Sequence, residues 1–573
     1  MKLNFIKKTW LSFSGFFATA VLLTVIQPPI GLSWLAVAAY VPFILISLRG
    51  EKTASLLAVS YAVSFFYWLI NLYWVGPVTY VGWVFLCLYM AVLWPILVYS
   101  LRFCFRKKVP LFIAVAVLVV GIERMQGLFW GGFFWRFLAH SQYENTTIIQ
   151  IADIFGAGGV SFLLAMVNGL IAELIIGVRE KKCVSAANFF KTAIVGALVL
   201  GAIFYGRYRI SQSAGTIVGG PLVGSVQSNV PQSVKDSSSQ EDNVKQFEDV
   251  LALSRECAKS GAELIVWPET IVPGILDSRV LGLLGDGHLY NEYDRKLKEQ
   301  AAGGCYMLVG AHGGSPEVKP DGSIELKEKF NSAFFYRPDG KDSSQYNKIH
   351  LVPFGEVVPF RKNAAWLHRL LMRFTPYDYD YSLDAGTEFT VFEMAGAENK
   401  NYKFGVVICY EGTVPEIVRK SVVDDYGTKR IDWLVNISND GWFVKFANGK
   451  VSASEELVQH NAIYVFRAVE NRIGILRSVN TGVSCLIDPV GRIKDGFAAS
   501  SENFAEKTQL RGGISGWFAD KMPIDKSETF FSRHGQWLDF CCGGAVIMIV
   551  ILPFGRSVVI KSGLFRKIVK KNR

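Results

Sequence analysis

Eight apolar stretches frame one long polar segment of this chain, and each is close to the length that a helix needs to cross a bilayer. A spanning helix takes about 20 predominantly apolar residues. Hydrophobic residues make up 51% of the 573 residues, which is high for a soluble protein of this size. We therefore predict a multi-pass membrane protein with spans near 10–27, 33–49, 54–75, 78–101, 109–127, 158–178, 192–208 and 537–555.

The lysines and arginines beside these spans predict their orientation. Basic residues precede the first span and follow the second, fourth, sixth and eighth, whereas the turns QPPIGL and VGPVTY carry none. Cytoplasmic loops are enriched in Lys and Arg, so both termini should be cytoplasmic and the polar segment should lie on the far side. The same placement explains the formal net charge of +11. Anionic lipid headgroups suit these charges, and no motif favours nucleic acid.

This pattern divides the chain into three parts: a helical domain of seven spans (1–210), one large polar domain (211–533), and an eighth span with a basic tail (534–573). Short apolar runs alternate with helical stretches in the polar domain, which indicates an α/β fold. Several runs are apolar throughout, as in strands buried on both faces. The predicted strands are PLVGSVQSN, ELIVWPE, YMLVGAH, NSAFFYRPDG, FGVVICYE, DWLVNISND, GILRSVNTG and SCLIDPVGRI, and the helical stretches are 241–259, 290–302, 412–425 and 454–470.

Three polar residues of this domain lie in distinctive motifs at or near predicted strand ends. Glu269 closes LIVWPE, Lys348 lies in YNKIHLVPFGE, and Cys409 lies in GVVICYE. Sites in α/β folds form at the C-terminal ends of strands. A carboxylate can serve as a general base, a lysine can stabilise an oxyanion, and a thiolate is a nucleophile. Together they predict acyl transfer through a cysteine.

Each of these residues also has an ordinary structural interpretation. Glu269 could be a solvated loop carboxylate, Lys348 a surface lysine, and Cys409 a buried inert thiol. Glu411, two residues beyond the cysteine, could belong to the site or begin a helix. The joint occurrence of the three motifs in one domain favours catalysis.

Two further segments have an unusual composition. The run AAWLHRLLMRFTPYD, from Ala364, mixes aromatic, aliphatic and basic residues, which fits a helix at a membrane interface or an amphipathic helix packed on the domain. The run GLFWGGFFWRFLAHSQ, between the fifth and sixth spans, is predicted to be an interfacial or re-entrant loop, because Trp and Phe favour the headgroup region.

The motifs LIVWPE, NKIHLVPFGE and VICYE resemble the Glu-Lys-Cys signatures of the nitrilase superfamily. The eight-span frame, the aromatic segment before SQ, and HLVPFGEVVPF resemble the membrane-embedded apolipoprotein N-acyltransferases of that superfamily more closely. The resemblance covers nearly the whole chain. It implies an αββα sandwich on the periplasmic side of the bacterial inner membrane, inserted in an all-α multi-span membrane domain.

The resemblance also implies an activity. Such enzymes transfer an acyl chain from a glycerophospholipid, typically phosphatidylethanolamine, to the N-terminal α-amine of diacylglyceryl-cysteine in apolipoproteins. By motif position, Cys409 is the nucleophile that carries a thioester, Glu269 the general base and Lys348 the oxyanion partner. Glu356 and Tyr410, together with Glu411, match supporting positions. No metal or organic cofactor is expected, and we expect a monomer.

One departure from the family concerns the segment after VQSNVPQ, where related chains often carry a Trp and this chain reads SVKDSSS. Any substrate contact made by that aromatic is therefore in question. Two alternative functions remain. A membrane-tethered nitrilase-like amidase would hydrolyse a C–N bond with water as second substrate, and a transporter or receptor would need no reactive cysteine.

Overall fold

The computed structural model describes residues 2–128, 131–180, 185–341, 343–361, 363–375, 379–397, 400–448 and 450–561. Most of the predicted basic tail, residues 562–573, lies outside the described residues. So do two aromatic residues of the segment between the fifth and sixth predicted spans, Phe129 and Trp130.

The N-terminal region is helical. Within the described residues, four helical stretches are long and apolar enough to cross a membrane: Thr53–Asn71, Tyr80–Arg106, Ala157–Arg179 and Ala186–Thr216. Shorter apolar helical stretches accompany them, including Thr9–Val25 and, near the C-terminus, Trp537–Ile551. The helices of this region are α1 (Lys2–Val25), α2 (Val41–Ser47), α3 (Thr53–Asn71), α4 (Tyr80–Ala91), α5 (Leu93–Arg106), α6 (Leu111–Met125), α7 (Thr146–Ile149), α8 (Ala152–Phe155), α9 (Ala157–Arg179) and α10 (Ala186–Thr216).

Two elements differ from the sequence expectation. The stretch 33–49 is not one helix but a 3₁₀ turn, Ser33–Val37, followed by α2. Pro42 in the first turn of α2 has no backbone N–H to donate, so it suits a new helix start better than a helix interior. Helix α10 continues to Thr216, past the expected domain boundary at 210, and the first strand begins at the next residue.

The domain that follows alternates strands and helices. Its strands are β1 (Ile217–Gln227), β2 (Leu264–Val266), β3 (Tyr306–Val318), β4 (Ile324–Tyr336), β5 (Ser344–Asn347), β6 (Val391–Ala395), β7 (Asn401–Ile408), β8 (Trp433–Ser438), β9 (Lys445–Ala447), β10 (Lys450–Ser452), β11 (Gly474–Val479), β12 (Cys485–Ile487), β13 (Ala499–Ser500) and β14 (Gly516–Asp525). Its helices are α11 (Gln232–Ser237), α12 (Gln240–Lys259), α13 (Ser278–Leu281), α14 (Leu289–Ala302), α15 (Ala365–Met372), α16 (Pro415–Val422), α17 (Glu456–Asn471) and α18 (Phe530–His534), and α19 (Trp537–Lys561) ends the described chain.

Two sheets form the centre of this domain. One has the strand order β13-β14-β1-β2-β3-β4-β5 and the other β12-β11-β8-β7-β6. The neighbours β1, β2 and β3 run parallel, as do β7, β8 and β11. The strands β9 and β10 form a separate hairpin.

Apolar side chains from the two sheets meet face to face, for example Val266 and Phe335 from one sheet with Phe404 and Val435 from the other. The outer face of the first sheet packs on α12 and α14, and the outer face of the second packs on α16 and α17. The strands β2, β8 and β11 are buried along their whole length because both faces are covered. This arrangement confirms the expected αββα sandwich inserted between apolar helices.

Buried ion pairs join the helical region to the sandwich. Asp153 of α8 accepts hydrogen bonds from Arg472 at 3.0 Å and from Arg209 at 2.8 Å. Asp153 is buried, and so is Arg472, which directly follows α17. A buried charge is costly unless an opposite charge compensates it, so this pairing fixes α8 against the end of α17.

Replacing Asp153 by Ala leaves two arginine charges without their shared carboxylate. Loss of one partner of a buried ion pair costs about 3–5 kcal/mol, so we expect a clear fall in Tm in detergent. The control is Glu256→Ala, because Glu256 forms an exposed pair with Lys259 and should leave Tm unchanged. An Asp153→Ala protein as stable as the Glu256→Ala control would show that this junction contributes nothing.

Candidate active site

Glu269 lies just beyond the end of β2, where the segment Trp267-Pro268-Glu269 leaves the sheet. Its side chain is only 5% exposed. One carboxylate oxygen, Oε2, accepts a hydrogen bond from the Asn439 backbone N–H at 2.7 Å. The other, Oε1, accepts from Asn331 Nδ2 at 2.7 Å. The carboxylate is therefore held in one orientation rather than solvated in a loop.

Lys348 follows β5 and is 1% exposed, so it is not a surface lysine. Its Nζ lies 3.3 Å from Glu269 Oε1 and 2.9 Å from Glu356 Oε1. Burial by itself lowers the pKa of Lys348, but the Glu356 and Glu269 carboxylates outweigh it and hold the pKa well above its usual range. A permanently charged ammonium group is therefore fixed inside the domain.

Cys409 directly follows β7 and begins a 3₁₀ turn, Cys409–Thr413. Its φ of 52° lies in the left-handed region, which a residue with a side chain seldom adopts. Such backbone strain persists only where surrounding contacts impose it, and it concentrates at active sites. The sharp turn at the end of a strand separates this thiol from an ordinary buried cysteine.

The environment of Cys409 keeps its thiol protonated at rest. Burial raises the pKa of this thiol well above the ordinary value, and the Glu269 carboxylate raises it further. The charge of Lys348 acts in the opposite direction without prevailing. The thiolate is the reactive form, so this cysteine needs a base to remove its proton.

Glu411 ties the lysine segment to the cysteine turn. Its Oε1 accepts from the backbone N–H groups of Ile349 at 2.7 Å and His350 at 2.9 Å. Its Oε2 accepts from the Ile408 N–H at 2.7 Å, and Tyr346 Oη donates to the same carboxylate at 2.9 Å. Burial raises the pKa of Glu411 to about 7, against the effect of these donors. The side chain joins the site by holding its two halves together.

The two remaining expected residues have different positions. Glu356 accepts from Lys348 and, through Oε2, from the Val352 N–H at 2.9 Å, which closes the loop after the lysine. Tyr410 bonds to a different segment: its Oη donates to the Gly132 carbonyl at 2.5 Å. Gly132 belongs to the aromatic segment between α6 and α7, so Tyr410 links the site to the helical region.

Sequence reasoning missed Asn331, which lies within β4. Its Nδ2 donates to Glu269 at 2.7 Å and to Glu356 at 2.8 Å, so one amide bridges both carboxylates. A polar residue at the start of the run NSAFFY was the available signal. Lys235 on α11 was also missed. Its Nζ donates to the Thr270 carbonyl at 3.2 Å, and burial lowers its pKa to about 8.

One cluster in the described part of the chain has the residue types of a metal site. Asp440, Glu456 and His460 bring their ligand atoms within 4.8 Å of one another. Arg477 Nη2 lies 3.4 Å from Asp440, and His460 Nδ1 lies 3.1 Å from Glu456. Burial and Arg477 lower the pKa of His460, but the two carboxylates outweigh them and raise it. Burial also raises the pKa of Glu456 to about 7. Arg477 and His460 face the two carboxylates, so the cluster has the contacts of a buried ion-pair network.

Two families match successive parts of the chain. Residues 19–170 match the family described as the apolipoprotein N-acyltransferase N-terminal domain, and residues 222–507 match the carbon-nitrogen hydrolase family. The second match includes Glu269, Lys348, Glu356 and Cys409.

Proteins named apolipoprotein N-acyltransferase are among those similar to the chain, including the following three. The protein from Geobacter metallireducens is 31% identical over 482 residues, which cover 82% of this chain and 80% of that protein. The protein from Rhodopseudomonas palustris is 25% identical and covers 79% of this chain and 75% of its own length. The protein from Chlorobaculum tepidum is 24% identical over 544 residues, or 92% of this chain and 93% of its own length.

The bridging role of Asn331 gives a direct prediction. Hydrogen bonds to charged groups are worth about 1.5–3 kcal/mol, so Asn331→Ala should slow acylation of Cys409 roughly 10- to 100-fold. The control is Asn291→Ala, which removes an amide that donates to the Leu284 and Gly285 carbonyls in a surface loop. Single-turnover acylation at the control rate in Asn331→Ala would mean that the two carboxylates need no bridge.

Proposed function

This chain belongs to the apolipoprotein N-acyltransferase family, and we propose that it transfers an acyl chain from a glycerophospholipid to the N-terminal amine of diacylglyceryl-cysteine in apolipoproteins. The supporting observation is the burial of a charged lysine between two carboxylates beside a cysteine in a left-handed turn. In this proposal Glu269 is the general base, Lys348 the oxyanion partner and Cys409 the nucleophile. Glu356, Tyr410 and Glu411 support them.

The first half-reaction forms a thioester. Glu269 takes the proton of the Cys409 thiol, and the sulfur attacks the ester carbonyl carbon of the phospholipid. Negative charge moves to the carbonyl oxygen, where Lys348 and the backbone N–H of Tyr410 stabilise it. The carbon–oxygen bond to glycerol then breaks, and the departing oxygen takes the proton from Glu269. Lysophospholipid leaves, and the acyl chain stays on sulfur.

The second half-reaction forms the amide. The lipoprotein amine attacks the thioester carbonyl while Glu269 accepts a proton from nitrogen. The carbon–sulfur bond breaks, and the cysteine sulfur recovers the proton. Lys348 neutralises the oxyanion again. The two substrates therefore react in turn with one sulfur atom, which is a ping-pong scheme.

The amine must compete with water at the thioester. The three reacting side chains are between 1% and 8% exposed, so little solvent reaches them. Exclusion of water also strengthens the electrostatic effect of the lysine on the oxyanion. This burial favours acyl transfer over hydrolysis, and therefore over the amidase alternative.

The membrane setting is part of the proposal. The basic residues beside alternate spans support cytoplasmic termini and a periplasmic catalytic domain in a multi-pass protein of the bacterial inner membrane. We keep the three proposed domains, 1–210, 211–533 and 534–573, and move the first boundary to the junction of α10 with β1 at 216 and 217. We propose that the protein acts as a monomer.

The donor reaches the site from the lipid side. Trp366 on α15 is 66% exposed, and Phe374 just beyond that helix is also exposed. An exposed apolar surface on a helix with basic residues fits the headgroup region of a bilayer. We propose phosphatidylethanolamine as donor. After VQSNVPQ, where relatives often carry a Trp, this chain reads SVKDSSS, so any donor contact made by that ring is replaced or absent.

Trapping the thioester tests the function. Incubation with phosphatidylethanolamine and no acceptor should add the mass of a long acyl chain to Cys409, and a diacylated lipopeptide should then remove it as an N-acyl product. Cys409→Ala should form no adduct, and Cys409→Ser little, because a serine hydroxyl has a much higher pKa. A small acyl adduct released by water would favour the amidase. Acyl transfer by Cys409→Ala would contradict the nucleophile assignment.

The carboxylate of Glu269 should have two opposing effects on Cys409. In Glu269→Gln the base is lost, so acyl transfer should fall by about 10²- to 10⁴-fold. The negative charge that raises the thiol pKa is lost as well, so that pKa should fall. The pH profile of alkylation by iodoacetamide should therefore shift to lower pH in this variant. Glu256→Gln, which changes an exposed carboxylate, is the control, and an alkylation profile equal to it would refute the electrostatic assignment.

A further inference from the structure

Tyr464 of α17 contacts the turn that begins at Cys409. Its Oη donates a hydrogen bond to the Cys409 carbonyl oxygen at 2.9 Å, and its side chain is fully buried. Cys409 and Tyr464 are 55 residues apart in the sequence, so the fold alone brings this hydroxyl to the nucleophile. The acceptor is the carbonyl of the peptide that joins Cys409 to Tyr410.

The ring of Tyr464 has a fixed position. The Arg477 guanidinium lies over it at 4.5 Å from the ring centre, and the His460 ring is 5.4 Å away. The ring also meets Gly412, where an added Cβ would lie 1.9 Å from Oη and 2.0 Å from Cζ. The glycine therefore makes room for the tyrosine, and the cation–π contact holds it.

The accepting peptide also carries the Tyr410 N–H. A trans peptide is planar, and its C=O and N–H point in opposite directions. When the carbonyl is anchored by Tyr464, the N–H must point away from that anchor. The first N–H groups of a helical turn have no acceptor within the turn, so this one can reach a substrate. A hydrogen bond to the carbonyl also polarises the peptide and strengthens its N–H as a donor.

We propose that Tyr464 is a positioning residue that aims the Tyr410 backbone N–H into the oxyanion site. The inference rests on the proposed function, in which that N–H and Lys348 share the oxyanion. Tyr464 touches neither substrate in this scheme. It acts by fixing the orientation of the peptide that joins Cys409 to Tyr410. Cys409 has a strained φ of 52°, and without this hydrogen bond its backbone would relax.

The hydroxyl stays a donor throughout the working pH range. Burial raises the pKa of Tyr464 well above its ordinary value, and the neighbouring Arg477 does not offset this. The phenol is therefore protonated whenever the enzyme is active. Its hydrogen bond to the carbonyl then persists through both half-reactions.

The variant Tyr464→Phe removes the hydroxyl and keeps the ring in contact with Gly412 and Arg477. Two reactions of the full-length protein separate its effects. Acylation of Cys409 by p-nitrophenyl butyrate develops an oxyanion, whereas alkylation by iodoacetamide does not. Loss of one oxyanion donor typically costs about 10²- to 10³-fold, and a misdirected donor should cost less, roughly 10- to 100-fold in the acylation rate. Alkylation should stay within about twofold of wild type, and KM for the ester should change little, because only an interaction of the transition state is weakened.

The control is Tyr336→Phe, which removes another buried hydroxyl, one that donates to Asp294 at 2.9 Å on the outer face of the first sheet. It should change neither reaction. Unchanged acylation in Tyr464→Phe would overturn the inference, and so would an equal fall in acylation and alkylation, which would mean that Tyr464 only places the thiol. If wild type reacts with the ester but not with phospholipid, the proposed function fails while the effect of Tyr464 is still measured. A wild-type thiol that the ester leaves unmodified would overturn both.

Discussion

The buried charge of Lys348 is the interaction on which the rest of the site depends. An ammonium group removed from water is costly unless opposite charges surround it. Glu269 and Glu356 supply those charges, and they come from two different segments of the chain. The end of β2 and the loop after β5 must therefore meet at one point. Asn331 neutralises part of the repulsion between the two carboxylates by donating to both.

The cysteine turn is held in place by hydrogen bonds to the same lysine segment. The Glu411 carboxylate accepts a hydrogen bond from the Ile349 backbone N–H beside Lys348, and Tyr464 Oη donates to the Cys409 carbonyl oxygen. Two contacts thus impose a left-handed residue that would not adopt this conformation alone. The helical region adds a third, because Tyr410 donates to Gly132. Residues 134–142 of the aromatic segment that carries Gly132 are buried as well, and Trp135 donates to Gln459 of α17 at 2.8 Å. The chemistry therefore lies where the sandwich meets the helices.

Much of this arrangement could be predicted from the sequence, because the signals were local. Runs that are apolar throughout identified the buried strands, and Glu269 and Cys409 follow directly after two of them. Asn331 and Tyr464 could not be found in this way. Asn331 lies inside a strand and Tyr464 inside a helix, and each acts on a residue far away in sequence. Their importance depends on which elements pack together. The end of α10 could not be predicted either, because its polar C-terminal part stays helical after the apolar run stops.

The most direct test of the account is a cryo-EM structure of the acyl-enzyme formed from phosphatidylethanolamine in the absence of acceptor. The account predicts an acyl chain on Cys409 Sγ, with the thioester carbonyl oxygen within hydrogen-bonding distance of both Lys348 Nζ and the Tyr410 backbone N–H. A thioester oxygen directed away from both donors, or an acyl chain bound to any other residue, would contradict it.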